Sequence, residues 1–239
     1  MHIMEGFLPA GWCLLWWLIA LPFILIGTLE LRAIIRKDRE YLPLLGVCSA
    51  FIFILSALKL PSVTGSCSHP TGTGLSTMCF GVFITSVIGG IVLLFQALLL
   101  AHGGLSTLGA NMVSMAIGGP IAGYAIYRLL KNTTVNIYIT VFLVTAVADL
   151  VTYIITSFEL ALAYPAQTGG VFTSFATFFA IFAVTQIPLA IVEACVLALV
   201  FKYIVNIKPE ILEKLNVFSH DQIEKVRIIE EQVTPAEEP

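Results

Sequence analysis

The stretch Leu75-Ser76-Thr77-Met78-Cys79-Phe80-Gly81-Val82-Phe83-Ile84-Thr85-Ser86-Val87-Ile88-Gly89-Gly90-Ile91-Val92-Leu93-Leu94-Phe95-Gln96-Ala97-Leu98-Leu99-Leu100-Ala101 contains no charged side chain. As one helix it would be about 40 Å long, against a bilayer hydrocarbon core of about 30 Å. Either it crosses once with length to spare, or it is a short descending piece ending near Gly81 and a longer ascending piece from Val82. The choice fixes the number of passes and the side on which every later segment lies.

The surrounding chain decides between them. Of 239 residues, 58% are hydrophobic and only 11% charged, with a mean hydropathy of +0.96, which is the composition of a polytopic membrane protein. Hydrophobic runs predict span 1 from about Trp12 to Leu31, span 2 from Leu42 to Leu58, span 5 from Ala110 to Leu130, span 6 from Val135 to Tyr153 or slightly beyond, and span 7 from about Thr173 to Phe201. Arg32, Arg36, Lys37 and Arg39 follow span 1, so the positive-inside rule puts that loop in the cytoplasm and the N-terminus outside. With one pass through Leu75–Ala101, eight of the twelve basic residues fall outside; with two passes, only Lys59 does. Two passes satisfy the rule. The expected fold is therefore an all-α bundle with seven transmembrane passes, an outer N-terminus and a cytoplasmic C-terminus. Residues 1–204 form the membrane domain and 205–239 a polar tail. The short polar descending piece must be enclosed by protein, because lipid satisfies no irregular backbone.

Several function classes are excluded. Charges sit in short segments rather than on a basic face, so nucleic acid is not a partner. Five cysteines form no CxxC pair and imply no disulfide framework. No HExxH, GxSxG, P-loop or dinucleotide loop is present, so the chain binds no ATP and a separate chain must hydrolyse any ATP used. The Gly119-Pro120-Ile121-Ala122-Gly123 spacing is a helix-packing surface and a candidate contact with a partner subunit. In the tail, Ile211, Leu212, Leu215 and Phe218 follow a helical spacing that suits either a partner or the membrane surface.

The chemistry concentrates in two outward segments. At the start, Met1-His2-Ile3-Met4-Glu5-Gly6, the Met1 amine, the His2 backbone nitrogen and the His2 Nδ1 can close fused chelate rings around one cation. Three coplanar nitrogens suit Ni(II) and Cu(II), with Co(II) less willing. The competing reading is a frayed terminus. The second segment holds Ser66-Cys67-Ser68-His69-Pro70. There His69 is the preferred fourth donor, with Cys67 the softer alternative. His102 reads as a residue at the membrane boundary, and His220 in the tail as no ligand. Within the spans, Asp149 suits either support of the site from behind its ligands or a helix–helix hydrogen bond, and Glu193 a packing or partner contact.

The opening Met1-His2-Ile3-Met4-Glu5-Gly6-Phe7-Leu8-Pro9 and the loop Ser62-Val63-Thr64-Gly65-Ser66-Cys67-Ser68-His69-Pro70-Thr71-Gly72-Thr73-Gly74-Leu75 resemble the CbiM/NikM family, the substrate-binding (S) components of energy-coupling-factor cobalt and nickel importers. The resemblance continues through Leu93–Gly104, Leu108–Asn111 and Thr185–Glu193, and departs at Ser76, where the family usually has Gly. It implies a seven-helix S-component, not an enzyme, in the plasma membrane of a prokaryote. The Met1 amine, both His2 nitrogens and the His69 imidazole would bind the divalent ion as transported substrate, Co(II) for cobalamin synthesis or else Ni(II). It also implies a CbiQ-like scaffold, a CbiO-like cytoplasmic ATPase and a CbiN-like small membrane subunit as partners. An intramembrane metalloenzyme is the alternative from another class; it would need an open position on the metal and a nearby general base.

Overall fold

In the computed structural model, residues 2–61 and 66–233 are described. The elements are β1 (His2–Ile3), α1 (Ala10–Lys37), α2 (Tyr41–Ala57), β2 (Leu60–Pro61), β3 (Ser66–Ser68), α3 (Thr73–Leu100) and α4 (Leu108–Asn111). A π-helical turn (Met112–Gly118) leads into α5 (Gly119–Leu130), α6 (Ile137–Ala163), α7 (Gly170–Ile207), α8 (Pro209–Lys214) and α9 (His220–Val233). Five segments are long and apolar enough to cross a membrane: α1, α3, the run Leu108–Leu130, α6 and α7; α2 is a shorter apolar helix. The architecture is an all-α membrane bundle with one small three-stranded sheet, ordered β1-β3-β2.

Large apolar side chains point outward: Leu14, Leu25 and Leu29 of α1, Phe172 and Val184 of α7, and Leu98 and Leu99 of α3 are all exposed. The interior instead holds many small polar residues, among them Ser76, Thr77, Thr85, Thr145, Thr152 and Thr156. Most satisfy themselves locally, as when the Thr152 hydroxyl donates to the Ala148 carbonyl at 2.9 Å and that of Thr156 to the Thr152 carbonyl at 3.0 Å. Lipid offers nothing to a polar group, so such residues gather inside.

The expected break in Leu75–Ala101 is present. Gly81 has φ +77° and ψ −179°, values outside the helical region, in the middle of α3. A positive φ is costly for any residue with a Cβ, which is why glycine stands there. The turn is sharp: the Ser76 and Thr85 hydroxyls meet at 2.8 Å, whereas nine residues of straight helix would separate them by about 13 Å. His69 and His102, which flank α3, have ring centroids 4.9 Å apart; a straight helix of that length would hold them about 40 Å apart. The chain doubles back at Gly81 and returns to where α3 began.

Two packing expectations change. The Gly119/Gly123 surface is used inside the chain: a Cβ on Gly119 would lie 2.7 Å from the Ala148 carbonyl oxygen, and one on Gly123 would lie 3.1 Å from that of Val144. Those glycines let α5 approach α6, so they are not free for a partner. The tail's apolar residues also fold inward. Leu212, Val217 and Phe218 are buried, Phe218 stacks edge-on against Tyr127 and Phe201, and the Tyr127 hydroxyl donates to the Val217 carbonyl at 2.6 Å. Their helical spacing describes a lid on the chain's own bundle, at the end where α3 turns.

Candidate metal centre

The N-terminal segment is threaded into the bundle. Its register with β3 pairs His2 with Cys67 and Ile3 with Ser66. Asn111 holds both sides of the Ile3 backbone, accepting from its N–H at 2.7 Å and donating to its carbonyl at 3.1 Å, while the Thr107 hydroxyl donates to the same carbonyl at 2.8 Å. Further out, the Gly6 N–H donates to the Ser106 hydroxyl at 3.1 Å, the Ser106 N–H donates to Glu5 at 3.1 Å, and the Tyr164 hydroxyl donates to the Phe7 carbonyl. Residues 2–7 are thus anchored, and the frayed-terminus reading is set aside for them. Met1, whose amine the sequence assigns as a ligand, lies outside the described residues.

His2 and His69 are fully buried and their rings meet at 4.3 Å between centroids. The His69 Nδ1 lies 2.7 Å from the Pro70 carbonyl oxygen, which can only accept, so Nδ1 carries the proton. The other ring nitrogen, Nε2, is then a bare lone pair; it is buried and has no hydrogen-bond partner among the described residues. A carbonyl fixing the tautomer from behind is the usual way a metal-ligating imidazole is oriented.

Cys67 and His102 join them: one atom from each of His2, Cys67, His69 and His102 lies within 4.8 Å of the others, and all four residues are buried. The His102 Nε2 is 2.9 Å from the His2 Nδ1 and 3.0 Å from the Cys67 Sγ. His102 is therefore buried within the cluster, a contact that its reading as a boundary residue did not include. Gly103, with φ +75°, turns the chain after it, and a Cβ there would come within 3.6 Å of the His2 ring. The signal that could have found His102 was the doubling back of α3, which brings Ala101-His102 to the same end as His69.

Burial depresses the proton affinity of all three imidazoles. His2 is held well below its ordinary value by burial and then by His69 and His102, His69 is lowered by burial first, and His102 falls to about 3 for the same reason. Burial also raises the Cys67 thiol. The cluster thus offers neutral nitrogen donors and a protonated sulfur. Such a set could hold a borderline transition-metal ion far better than Mg²⁺ or Ca²⁺, which want oxygen.

Two carboxylates support the cluster from behind. The Gln186 amide donates to the His69 carbonyl at 3.1 Å and to Asp149 at 2.7 Å, so Asp149 on α6 both hydrogen-bonds α7 and braces the loop that presents His69. Glu193 on α7 accepts from the Thr71 N–H at 2.5 Å, the Thr71 hydroxyl at 3.0 Å and the Gly72 N–H at 2.8 Å. Its role is packing, but of the loop that carries His69 rather than of another helix. His220 is far away, exposed, with its Nδ1 2.8 Å from Glu213.

Known proteins resemble this chain over most of its length. A CbiM protein of Methanosphaerula palustris is 76% identical over 228 residues, covering 95% of this chain and 97% of that one. The cobalt transport protein CbiM of a Nostoc species is 56% identical over 228 residues, covering 93% and 87%. Among solved structures, a transition metal transporter superimposes with a TM-score of 0.73 at 25% identity, covering 95% and 99%, and a truncated transition metal transporter with 0.73 at 27% identity, covering 86% and 98%. The model of the family described as "Cobalt uptake substrate-specific transmembrane region" matches residues 2–211, and with that match the chain belongs to the CbiM family.

Proposed function

We propose that this chain is the substrate-capturing membrane subunit of an ATP-driven importer, and that its substrate is a divalent transition-metal ion, Co(II) first. The observation that carries the reading is the bare, buried Nε2 of His69 held against the His2 ring in a cluster that, among the described residues, contains no carboxylate. In this reading the ligands are the Met1 amine, the His2 amide nitrogen, the His2 Nδ1 and the His69 Nε2. The His2 Nδ1 exchanges its contact with His102 for the ion. The amide nitrogen must shed its proton to ligate, so uptake releases protons and weakens as pH falls. Four nitrogens around one ion also fit Ni(II), and the names of the CbiM relatives favour cobalt.

The same reading has seven passes, with α3 counted as two because of Gly81, the N-terminus outside, and eleven of twelve basic residues in the cytoplasm. Residues 1–204 capture the ion in the plasma membrane of a prokaryotic cell, and 205–239 form the cytoplasmic tail. A CbiQ-like scaffold, a CbiO-like ATPase and a CbiN-like small subunit complete the importer.

The test is calorimetry of the purified chain with its natural, unblocked Met1, titrated with Co(II) and Ni(II) alone and in competition. Stoichiometric binding of either ion, lost when one residue is added before Met1, supports the chelate. Undiminished affinity in the extended chain rejects it.

A further inference from the structure

Beside the cluster lies a cavity of about 160 Å³ that opens toward the surface and is walled by Met4, Lys59, Cys67 and His102. At about 30 Å³ per water molecule it has room for a partly hydrated ion. His2 and His69 do not line it. An ion arriving from this side therefore meets His102 before it meets either of them.

His102 is equipped for that meeting. Its Nε2 faces the His2 Nδ1 at 2.9 Å. If the His2 Nδ1 is to keep a lone pair for the ion, the His102 Nε2 must carry the proton and donate it. The other nitrogen, Nδ1, is then a bare lone pair, and it is buried with no hydrogen-bond partner among the described residues. His102 as a whole residue is only 2% exposed. Met4, half-exposed at the cavity wall, adds a thioether, a further donor acceptable to borderline and soft ions. The Lys59 ammonium, whose Nζ lies 3.5 Å from the Leu100 carbonyl, stands on the same wall, so the field there does not draw a dication in. Attraction has to come from donor atoms.

We propose that His102, assisted by the Met4 thioether, is a transient inlet ligand that takes the ion from the cavity and passes it to the His2 and His69 nitrogens. The proposal rests on the assignment of His2 and His69 as resident ligands. Only coordination bonds are exchanged: the His102 lone pair binds the ion and releases it as the resident nitrogens take over, and the hydrogen bond to His2 is surrendered in the same step. Because arrival and departure follow one route in reverse, a transient ligand changes both rates and leaves the equilibrium nearly alone.

The experiment is stopped-flow binding and release of Co(II) on the full chain with its natural terminus, comparing the native protein with His102→Gln. Glutamine keeps an N–H for His2 but has no imidazole lone pair. Association and dissociation should slow together by about tenfold or more, with the dissociation constant held within about threefold. Faster dissociation alone, with weakened affinity, would make His102 a resident ligand and overturn the proposal. Acceleration of both rates would make it a mere barrier, and unchanged rates would give it no part; either result also overturns it. Should the Gln variant fail to fold, Met4→Leu decides at a half-exposed position: slowing of both rates by about threefold supports the inlet, and native rates reject it. A native chain that takes up neither Co(II) nor Ni(II) removes the proposed function and the inlet with it, whereas binding at His102-independent rates removes the inlet alone.

Discussion

The two ends of the bundle use histidine in opposite ways. At the N-terminal end, His2, His69 and His102 crowd together with a thiol and, among the described residues, no carboxylate, and burial keeps them neutral with lone pairs to offer. At the tail end, His220 sits in solvent beside Glu213, which raises its proton affinity. The charges around it behave likewise: Lys214 is 2.7 Å from Asp38 and also pairs with Glu40, and Lys202 is 3.4 Å from Glu230. One end has donors without charge, suited to capturing an ion; the other has charges already paired, suited to holding a lid. A histidine's partners, more than its sequence context, decide which it becomes.

The contrast breaks most visibly if the donors are disturbed. Adding one residue before Met1, His2→Ala or His69→Ala should each weaken Co(II) binding by at least about a hundredfold, or about 2.7 kcal/mol, in calorimetry. A smaller shift would mean that the ion sits elsewhere in the cluster. Next in size is Gln186→Leu, which removes the bond to the His69 carbonyl and leaves Asp149 without its partner. Affinity should fall about ten- to a hundredfold while the helical content is kept; native affinity would show that the loop needs no brace.

Acidity separates the two ends by sign. Since His2, His69 and His102 are depressed, these three side chains bind more protons in the unfolded chain than in the folded one below pH about 6.5. The stability these neutral imidazoles contribute to the ion-free protein should therefore be lost as pH drops from there toward the folded value of His102, about 3. His220 runs the other way: its contribution is complete below pH about 6.5 and fades as pH rises through its raised value, weakly because it is exposed. Thermal melts of His102→Gln and His220→Ala across pH test this, and a flatter acid limb is expected only in the first. The smallest effect is His220→Ala on Co(II) affinity, expected within about twofold of native, since a distant solvated side chain couples weakly.

Much of this was legible beforehand. The excess length of Leu75–Ala101, together with the distribution of basic residues, pointed to a break near Gly81, because charge and bilayer thickness act on a chain independently of its tertiary packing. His2 and His69 were legible because they lie in polar segments that the same count put on one side. His102 was put on that side by the same count, but its neighbours Leu98-Leu99-Leu100-Ala101 read as the end of a span, so nothing marked it as a donor until the structure set its ring against His2. The Gly119/Gly123 spacing announced a close helix approach without naming the helix, which is α6 of the same chain. Likewise the tail's apolar spacing gave a face with no address until Tyr127 and Phe201 supplied one.

The clamp by Glu193 has a consequence for how the protein is made. The carboxylate that secures Thr71 and Gly72 lies 122 residues beyond Thr71 in the chain. At the usual ribosomal speed of about 5–20 residues per second, the His69 loop must wait roughly 6–24 s for its anchor to be synthesised. The piece from Thr73 to the Gly81 turn is, meanwhile, too short to lodge in the bilayer alone. It must be taken up by the helices that follow, so a chain interrupted before α7 exposes an unlatched loop. Capture of the ion then becomes a certificate of completed biogenesis, issued only to chains whose last long helix has inserted.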